Sequence, residues 1–164
     1  VSYQSAYEKK NKNFYAEPRR IVYFRGGLYV IIYIRRFEKF RLLAIQRIKH
    51  FEVLEEVHPE EPRFDPALFW KNKFGLFSAD SCHVKIEFST SARMHIEGRH
   101  WHPSQSFSEG KKGSLILEMD VGLSPELTSW IFSWNEYAKV LEPPELIEKI
   151  SKKIDKLRKI YPTT

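Results

Sequence analysis

Apolar residues recur at a period near two through the first third of the chain and at a helical period in parts of the rest. Residues 1–7 predict a strand, 8–13 a charged turn, and 14–24 a second strand interrupted at Pro18. Gly26-Gly27 between two apolar runs signals a hairpin. In residues 28–34, Leu28, Val30, Ile32 and Ile34 fall on one face and Tyr29, Ile31 and Tyr33 on the other. A polar turn at 35–39 and short strands at 40–48 and 49–55 complete a set that predicts a small antiparallel barrel.

The proline-rich, acidic stretch 58–66 is the best boundary in the chain, and residues 66–72 predict a short helix after it. Beyond it the style changes. Residues 83–88 alternate Val84, Ile86 and Phe88, a half-buried strand; 91–97 predict a helix ended by Gly98. Residues 101–107 and 114–121 read as strands about a Gly110-Lys111-Lys112-Gly113 turn. Ser124-Pro125 supplies a cap and a first-turn proline for a helix whose face is Leu127, Trp130, Ile131 and Trp134. A strand at 138–141 precedes a final helix opened by Pro143-Pro144, with a stripe of Leu146, Ile147, Ile150, Ile154 and Leu157. The order strand, helix, strand, strand, helix, strand is that of a ferredoxin-like module. The expected fold class is α+β: a barrel domain over residues 1–57, a linker with a short helix over 58–81, and a ferredoxin-like domain over 82–164.

Charge sharpens this division. Residues 1–50 hold 12 Lys/Arg against 3 Asp/Glu, a net +9 in a chain whose total is +6, so the remainder is −3. Ten Phe/Tyr residues lie in the same basic segment. Cations interleaved with flat rings suit an anionic partner with faces to stack on, which single-stranded nucleic acid supplies; a solvated basic surface is the plainer alternative. A lone cysteine, Cys82, excludes an internal disulfide. No apolar run approaches the roughly 20 residues of a membrane span. No signal peptide is visible, and the chain opens on Val1, so a fragment lacking its N-terminal part is expected.

Within the basic segment, Arg41, Leu43, Ile45 and Arg47 would share a face of an extended strand, with the arginines about 20 Å apart. That spacing fits successive phosphates, and arginine's planar fork binds phosphate in two places. Tyr29 and Tyr33 share a face of the neighbouring strand, where rings either stack on bases or simply pack.

Tyr3-Gln4-Ser5, Pro18, Gly27-Leu28-Tyr29-Val30 and Arg41 to Arg47-Ile48, taken in order, resemble the WYL domain. Leu28-Tyr29-Val30 stands at the family's Trp-Tyr-Leu position, and Arg41-x-Leu43-x-Ile45-x-Arg47-Ile48 at its Arg-x-Phe-x-Leu-Asp-Arg-Ile strand. Trp101-His102-Pro103-Ser104-Gln105, Gly113 to Leu117, residues 127–134 and Val140 to Leu146 are similar to the WYL C-terminal extension. The resemblance implies an SH3/Sm-like barrel that senses a ligand, in a bacterial, cytoplasmic transcription regulator. It also implies a ligand surface of Ser5, Tyr29, Arg41 and Arg47, to which the strand pattern adds Tyr33. Homodimerisation through the extension, and promoter contact only through an absent helix-turn-helix, follow from the same resemblance. Three departures stand out: Leu28 for the motif tryptophan, Gln46 for the acid before the second arginine, and Phe14-Tyr15 where an arginine is common.

Other chemistry is weak. His95, His100, His102 and Cys82-His83 lack zinc-ligand spacing. Ser104 and Ser106 lack a nucleophile elbow, and Glu55-Glu56 reads as linker. No catalytic set, metal site or cofactor is therefore expected. The leading expectation is a non-enzymatic sensor of single-stranded nucleic acid. A site for a small anionic metabolite or nucleotide, and a purely structural dimerisation unit, are the alternatives.

Overall fold

The computed structural model describes residues 1–5, 10–56, 58 and 62–162. The chain divides into two compact units, residues 1–69 and 70–164. The architecture is α+β, with three antiparallel sheets and four α-helices among the described residues.

The first unit holds β1 (Ser2–Gln4), β2 (Asn11–Asn13), β3 (Glu17–Phe24), β4 (Gly27–Ile34), β5 (Lys39–Ala44) and β6 (Ile48–His50). They form two three-stranded sheets, β2-β1-β6 and β3-β4-β5. Among the described residues no ladder joins the two sheets, so the expected barrel is not closed by hydrogen bonds.

The β3–β4 hairpin turns on Arg25-Gly26, one residue earlier than the glycine pair suggested, because Phe24 pairs with Gly27. Both turn residues have positive φ, 46° and 81°. That is the requirement of a type I′ turn, whose twist matches the flanking strands. At the far end of β4 a 3-10 turn, Arg35–Phe37, leads through left-handed Glu38 into β5.

Four consecutive residues of β4, Ile31 to Ile34, are buried, because both sheet faces are covered there. On one face Ile32, Ile34 and Leu43 pack with Tyr3, Phe14, Ala16 and Val30. The Tyr3 hydroxyl accepts a hydrogen bond from the Ala44 N–H at 3.3 Å. On the other face the Tyr33, Phe40, Phe64 and Phe69 rings follow one another at centroid spacings of 5.0, 5.1 and 5.4 Å. Arg20 lies over Phe64. The segment leading into α1 (Pro66–Trp70) thus covers this face, with Asp65 accepting from the Ala67 and Leu68 N–H groups at the helix start.

The strand expected over residues 40–48 ends early. Residues Ile45–Arg47 form a 3-10 turn closed by the Ile48 N–H on the Ile45 carbonyl. This reversal lets β6 pair with β1, Ile48 opposite Tyr3 and His50 opposite Ser2. Residues 51–55, also read as strand, are irregular, whereas 11–13, read as turn, form β2. The parts of the first strand and turn that fall at 6–9 lie outside the described residues.

The second unit contains β7 (Ser81–Phe88), α2 (Thr90–Glu97), β8 (Ser106–Glu109), β9 (Leu115–Gly122), α3 (Pro125–Phe132), β10 (Ala138–Glu142) and α4 (Pro144–Ile160). Its antiparallel sheet has the order β10-β7-β9-β8. Period-two burial puts Val84, Ile86, Phe88, Leu115, Leu117, Met119 and Val121 on one face. Ala92 and Ile96 of α2, Leu127, Trp130 and Ile131 of α3, and Leu146 of α4 complete that core. Each large side chain so buried contributes about 1.5–3 kcal/mol relative to exposure. Ser124 caps α3 as its sequence suggested, accepting from the Leu127 N–H at 3.1 Å.

Residues 101–105, expected as strand, are a loop held by side chains instead of a ladder. The Gln105 carboxamide accepts from the Trp101 and His102 N–H groups and donates to the Arg99 carbonyl. Helix α4 begins in the core at Leu146, but every residue from Ser151 to Ile160 is exposed.

One ion-pair cluster fastens the start of β3 to the turn after β4. Glu17 bonds Arg19 at 2.6 Å and makes a close ion pair with Arg35. Partial burial pushes the Glu17 carboxyl up, but the hydrogen bonds and charges of the two guanidiniums outweigh it and hold it below the ordinary carboxylate range. A lowered folded-state value stabilises above the unfolded value, and that stabilisation is lost as pH falls through the folded one. Glu17→Gln should therefore destabilise the first unit by about 1–2 kcal/mol at neutral pH. The difference from wild type should vanish in strong acid, as urea unfolding followed across the acid range would show. An unchanged midpoint at pH 7 would contradict this role.

Candidate functional site

The expected site residues separate when placed on this frame. Tyr29 pairs with Ala44 and Tyr33 with Phe40, whereas Arg41 pairs with Ile32. Directly opposed residues share a face and the face alternates at each step. Both tyrosines therefore lie on the face that Phe40 and Phe64 cover, and Arg41 lies on the other.

Tyr33 is 9% exposed and its ring packs on Phe40. It is core, not a stacking platform. Tyr29 is half-buried and its ring folds back over Gly27, where an added Cβ would come within 2.9 Å of it. The glycine at this point thus makes room for the motif tyrosine, and the hairpin turn draws its positive φ from Arg25 and Gly26. Ser5 is half-buried directly after β1. Leu28, at the position of the motif tryptophan, is 49% exposed.

Arg41 and Arg47 are exposed, Arg41 on β5 and Arg47 at the end of the 3-10 turn. The expected common strand face does not form, because the strand ends at Ala44. Among the described residues neither arginine has a hydrogen bond, ion pair or ring contact. Other arginines of the unit are engaged. Arg19 and Arg35 hold Glu17, Arg20 lies over Phe64, and Arg25 and Arg36 lie over the rings of Phe24 and Phe37.

Ile45, Ile48, Lys49, His50 and Phe51, which flank and follow Arg47 in the chain, line a partly open depression of about 340 Å³. Lys49 sits at a β-bulge: Ser2 and Tyr3 are adjacent, but their partners His50 and Ile48 are two apart. The bulged residue is released from the ladder, a device that re-aims side chains near binding sites. Lys49, His50 and Phe51 are exposed, and Phe51 is 65% so. None of the three was singled out from the sequence, where residues 49–55 read as one more strand. The available signal was the run Arg47-Ile48-Lys49-His50-Phe51, two cations and a histidine ending on a ring.

The polar clusters of the second unit are, by contrast, mutually satisfied. His83 meets Glu118 and Asp120, Lys85 meets Glu118, and Arg93 meets Glu97 and Glu109. Burial pushes the His102 imidazole below its ordinary value. Its Nδ1 lies 2.8 Å from the Ser104 hydroxyl. That hydroxyl also accepts from the Asp120 N–H and donates to the Asp120 carbonyl, so the pair clamps a loop to β9. Among the described residues no three His, Cys, Asp or Glu side chains gather to hold a metal ion, and no helix is long and apolar enough to cross a membrane.

Two family models match the chain: the WYL domain over residues 1–53 and the WCX domain over residues 80–158. No curated protein matches it. Among solved structures it is similar to proteasome accessory factor B/C (PafBC) of Arthrobacter aurescens, at 17% identity and a TM-score of 0.43. That alignment covers 99% of this chain and 24% of PafBC, so the chain spans about a quarter of that protein's length. With a WYL domain followed by a WCX domain, in the order the motifs indicated, the chain belongs to the WYL-domain family.

Proposed function

We propose that this chain is the ligand-sensing and dimerisation part of a bacterial, cytoplasmic transcription regulator, and that its ligand is single-stranded nucleic acid. The observation that carries the reading is the pair of exposed guanidiniums of Arg41 and Arg47, without a partner among the described residues, in a WYL domain whose other arginines are engaged. Cations without protein counter-charges favour a polyanion, whose binding releases condensed counterions. The partly open form of the depression leaves room for a strand to pass through it. The sensing part is the SH3/Sm-like domain over residues 1–57, with Ser5 and Tyr29 as supporting residues. Residues 82–164 are a ferredoxin-like extension, a reading supported by the sheet order β10-β7-β9-β8 and the helices between strands. No reaction is assigned to the chain. Promoter DNA is contacted by a DNA-binding segment outside it.

Dimerisation rests on α4. Its stripe continues past the core as Ile154, Leu157, Ile160 and Tyr161, which are 38%, 45%, 65% and 76% exposed. Its first half holds Glu145 and Glu148 against Lys149, with Glu148 paired to Lys152, and its second half Lys152, Lys153, Lys156, Arg158 and Lys159 against Asp155. An antiparallel pairing with α4 of a second copy places unlike charges opposite each other and covers the stripe. Ligand binding then biases the geometry of that dimer.

Two outcomes follow. Affinity for a single-stranded oligonucleotide should fall steeply with salt; Arg41→Ala and Arg47→Ala should each weaken binding and reduce the log–log salt slope by about 0.7. Fluorescence anisotropy across a salt series measures both, and binding indifferent to salt and to both arginines would defeat the proposal. Separately, Ile154→Asp/Leu157→Asp should convert a dimer to a monomer in sedimentation equilibrium, whereas a mass unaffected by the double substitution would remove α4 from the interface.

A further inference from the structure

Of the two tyrosines expected to stack on bases, neither lies on the side of Arg41. Tyr33 is buried against Phe40, and Tyr29 lies over Gly27 on the face opposite Arg41. A strand held only by its phosphates would leave its bases unrecognised, so a ring near Arg47 has to come from another residue. Among the exposed rings of the first unit, Phe37 is capped by Arg36. Tyr15 and Tyr23, though exposed, do not line the depression. Phe51 does, with Ile45 and Ile48 half-buried beside it and Lys49 and His50 exposed. Lys49, like Arg47, has no ion pair or hydrogen bond among the described residues.

We infer that the depression bounded by Ile45, Ile48, Lys49, His50 and Phe51 is a nucleotide subsite of a single-stranded nucleic acid, in which Phe51 stacks on a base and Lys49 and Arg47 neutralise the adjoining phosphates. The inference rests on the nucleic-acid reading above and adds a subsite to it. The bulge supplies the geometry. With Lys49 freed from the ladder, ammonium, imidazole and ring follow in three consecutive residues at the end of β6, without the strict alternation that a regular strand would impose. A ring that is two-thirds exposed in water gains by stacking on any base, so the subsite is tolerant of sequence.

The test uses the whole chain and a fluorescein-labelled oligothymidylate, with thymidine monophosphate as competitor. Phe51→Ala should weaken binding about five- to a hundredfold while leaving the salt slope unchanged, and Phe51→Trp should restore it. Lys49→Gln should weaken binding and flatten the slope by about 0.7. The mononucleotide should compete only at far higher concentration than unlabelled oligothymidylate. Urea midpoints equal to wild type for the Phe51 variants would confirm that folding is intact. If Phe51→Ala binds as wild type does while Arg47→Ala is weakened, the subsite is refuted and the wider reading stands. Equal competition by the mononucleotide refutes a strand-binding subsite. If wild type binds no single-stranded oligonucleotide, both fall together.

Discussion

The second half of β4 has no solvent face: Ile31, Ile32, Tyr33 and Ile34 are all buried. One side is closed by Ile32, Ile34 and Leu43 against Tyr3 and Phe14, the other by Tyr33 and Phe40 beneath Phe64. A unit this small has little apolar surface to spend, and it buries both faces of one strand to make a core. Much else in the unit follows. The segment before α1 must lie across the sheet to bring Phe64 and Phe69 into place. Tyr33 is committed to packing. Exposed residues remain at the periphery, among them Arg41 on β5 and those of the turn and bulge that lead into β6.

Both units mix paired and unpaired charge. In the second, cations and acids meet in pairs across the sheet and along α2, whereas Lys156, Arg158 and Lys159 of α4 have no ion pair among the described residues. In the first, the acid that matters most, Glu17, is already shared by two arginines. Arg41, Arg47 and Lys49 are left with only solvent among the described residues. Exposed ion pairs add little stability, so leaving these three unpaired costs the fold little. The basic segment is thus an arrangement in which some arginines hold the structure and a few others present charge.

Most elements were legible from periodicity and capping. The alternation of Val84, Ile86 and Phe88, the Ser124-Pro125 start of α3 and the stripe of α4 each correspond to what formed. The family, too, was legible, because its motifs occur in order along the chain. What escaped were places where side chains or local turns replaced a ladder. Ile45 to Arg47 are good strand residues that turn so that β6 can reach β1. Trp101 to Gln105 form a loop because Gln105 supplies the hydrogen bonds that a neighbouring strand would have supplied. The candidate site suffered most from the first of these. An extended strand puts Arg41 and Arg47 on one face and passes over Lys49 to Phe51; a turn and a bulge separate the arginines and bring the lysine, histidine and ring to the surface. The face of each tyrosine was readable, but what covered Tyr33 was not, since Phe64, which packs on Phe40 there, is distant in sequence.

The central claim is that the unpaired cations and the exposed ring around β6 form the ligand surface of the WYL domain. Backbone amide chemical-shift mapping of the whole chain during titration with a single-stranded oligonucleotide tests it directly. The account predicts saturable shifts concentrated at Arg41 and at Arg47 through Phe51, with Tyr33 and the core of β4 nearly still. Shifts centred instead on the paired polar face of His83, Lys85 and Glu118, or on no contiguous surface at all, would contradict it.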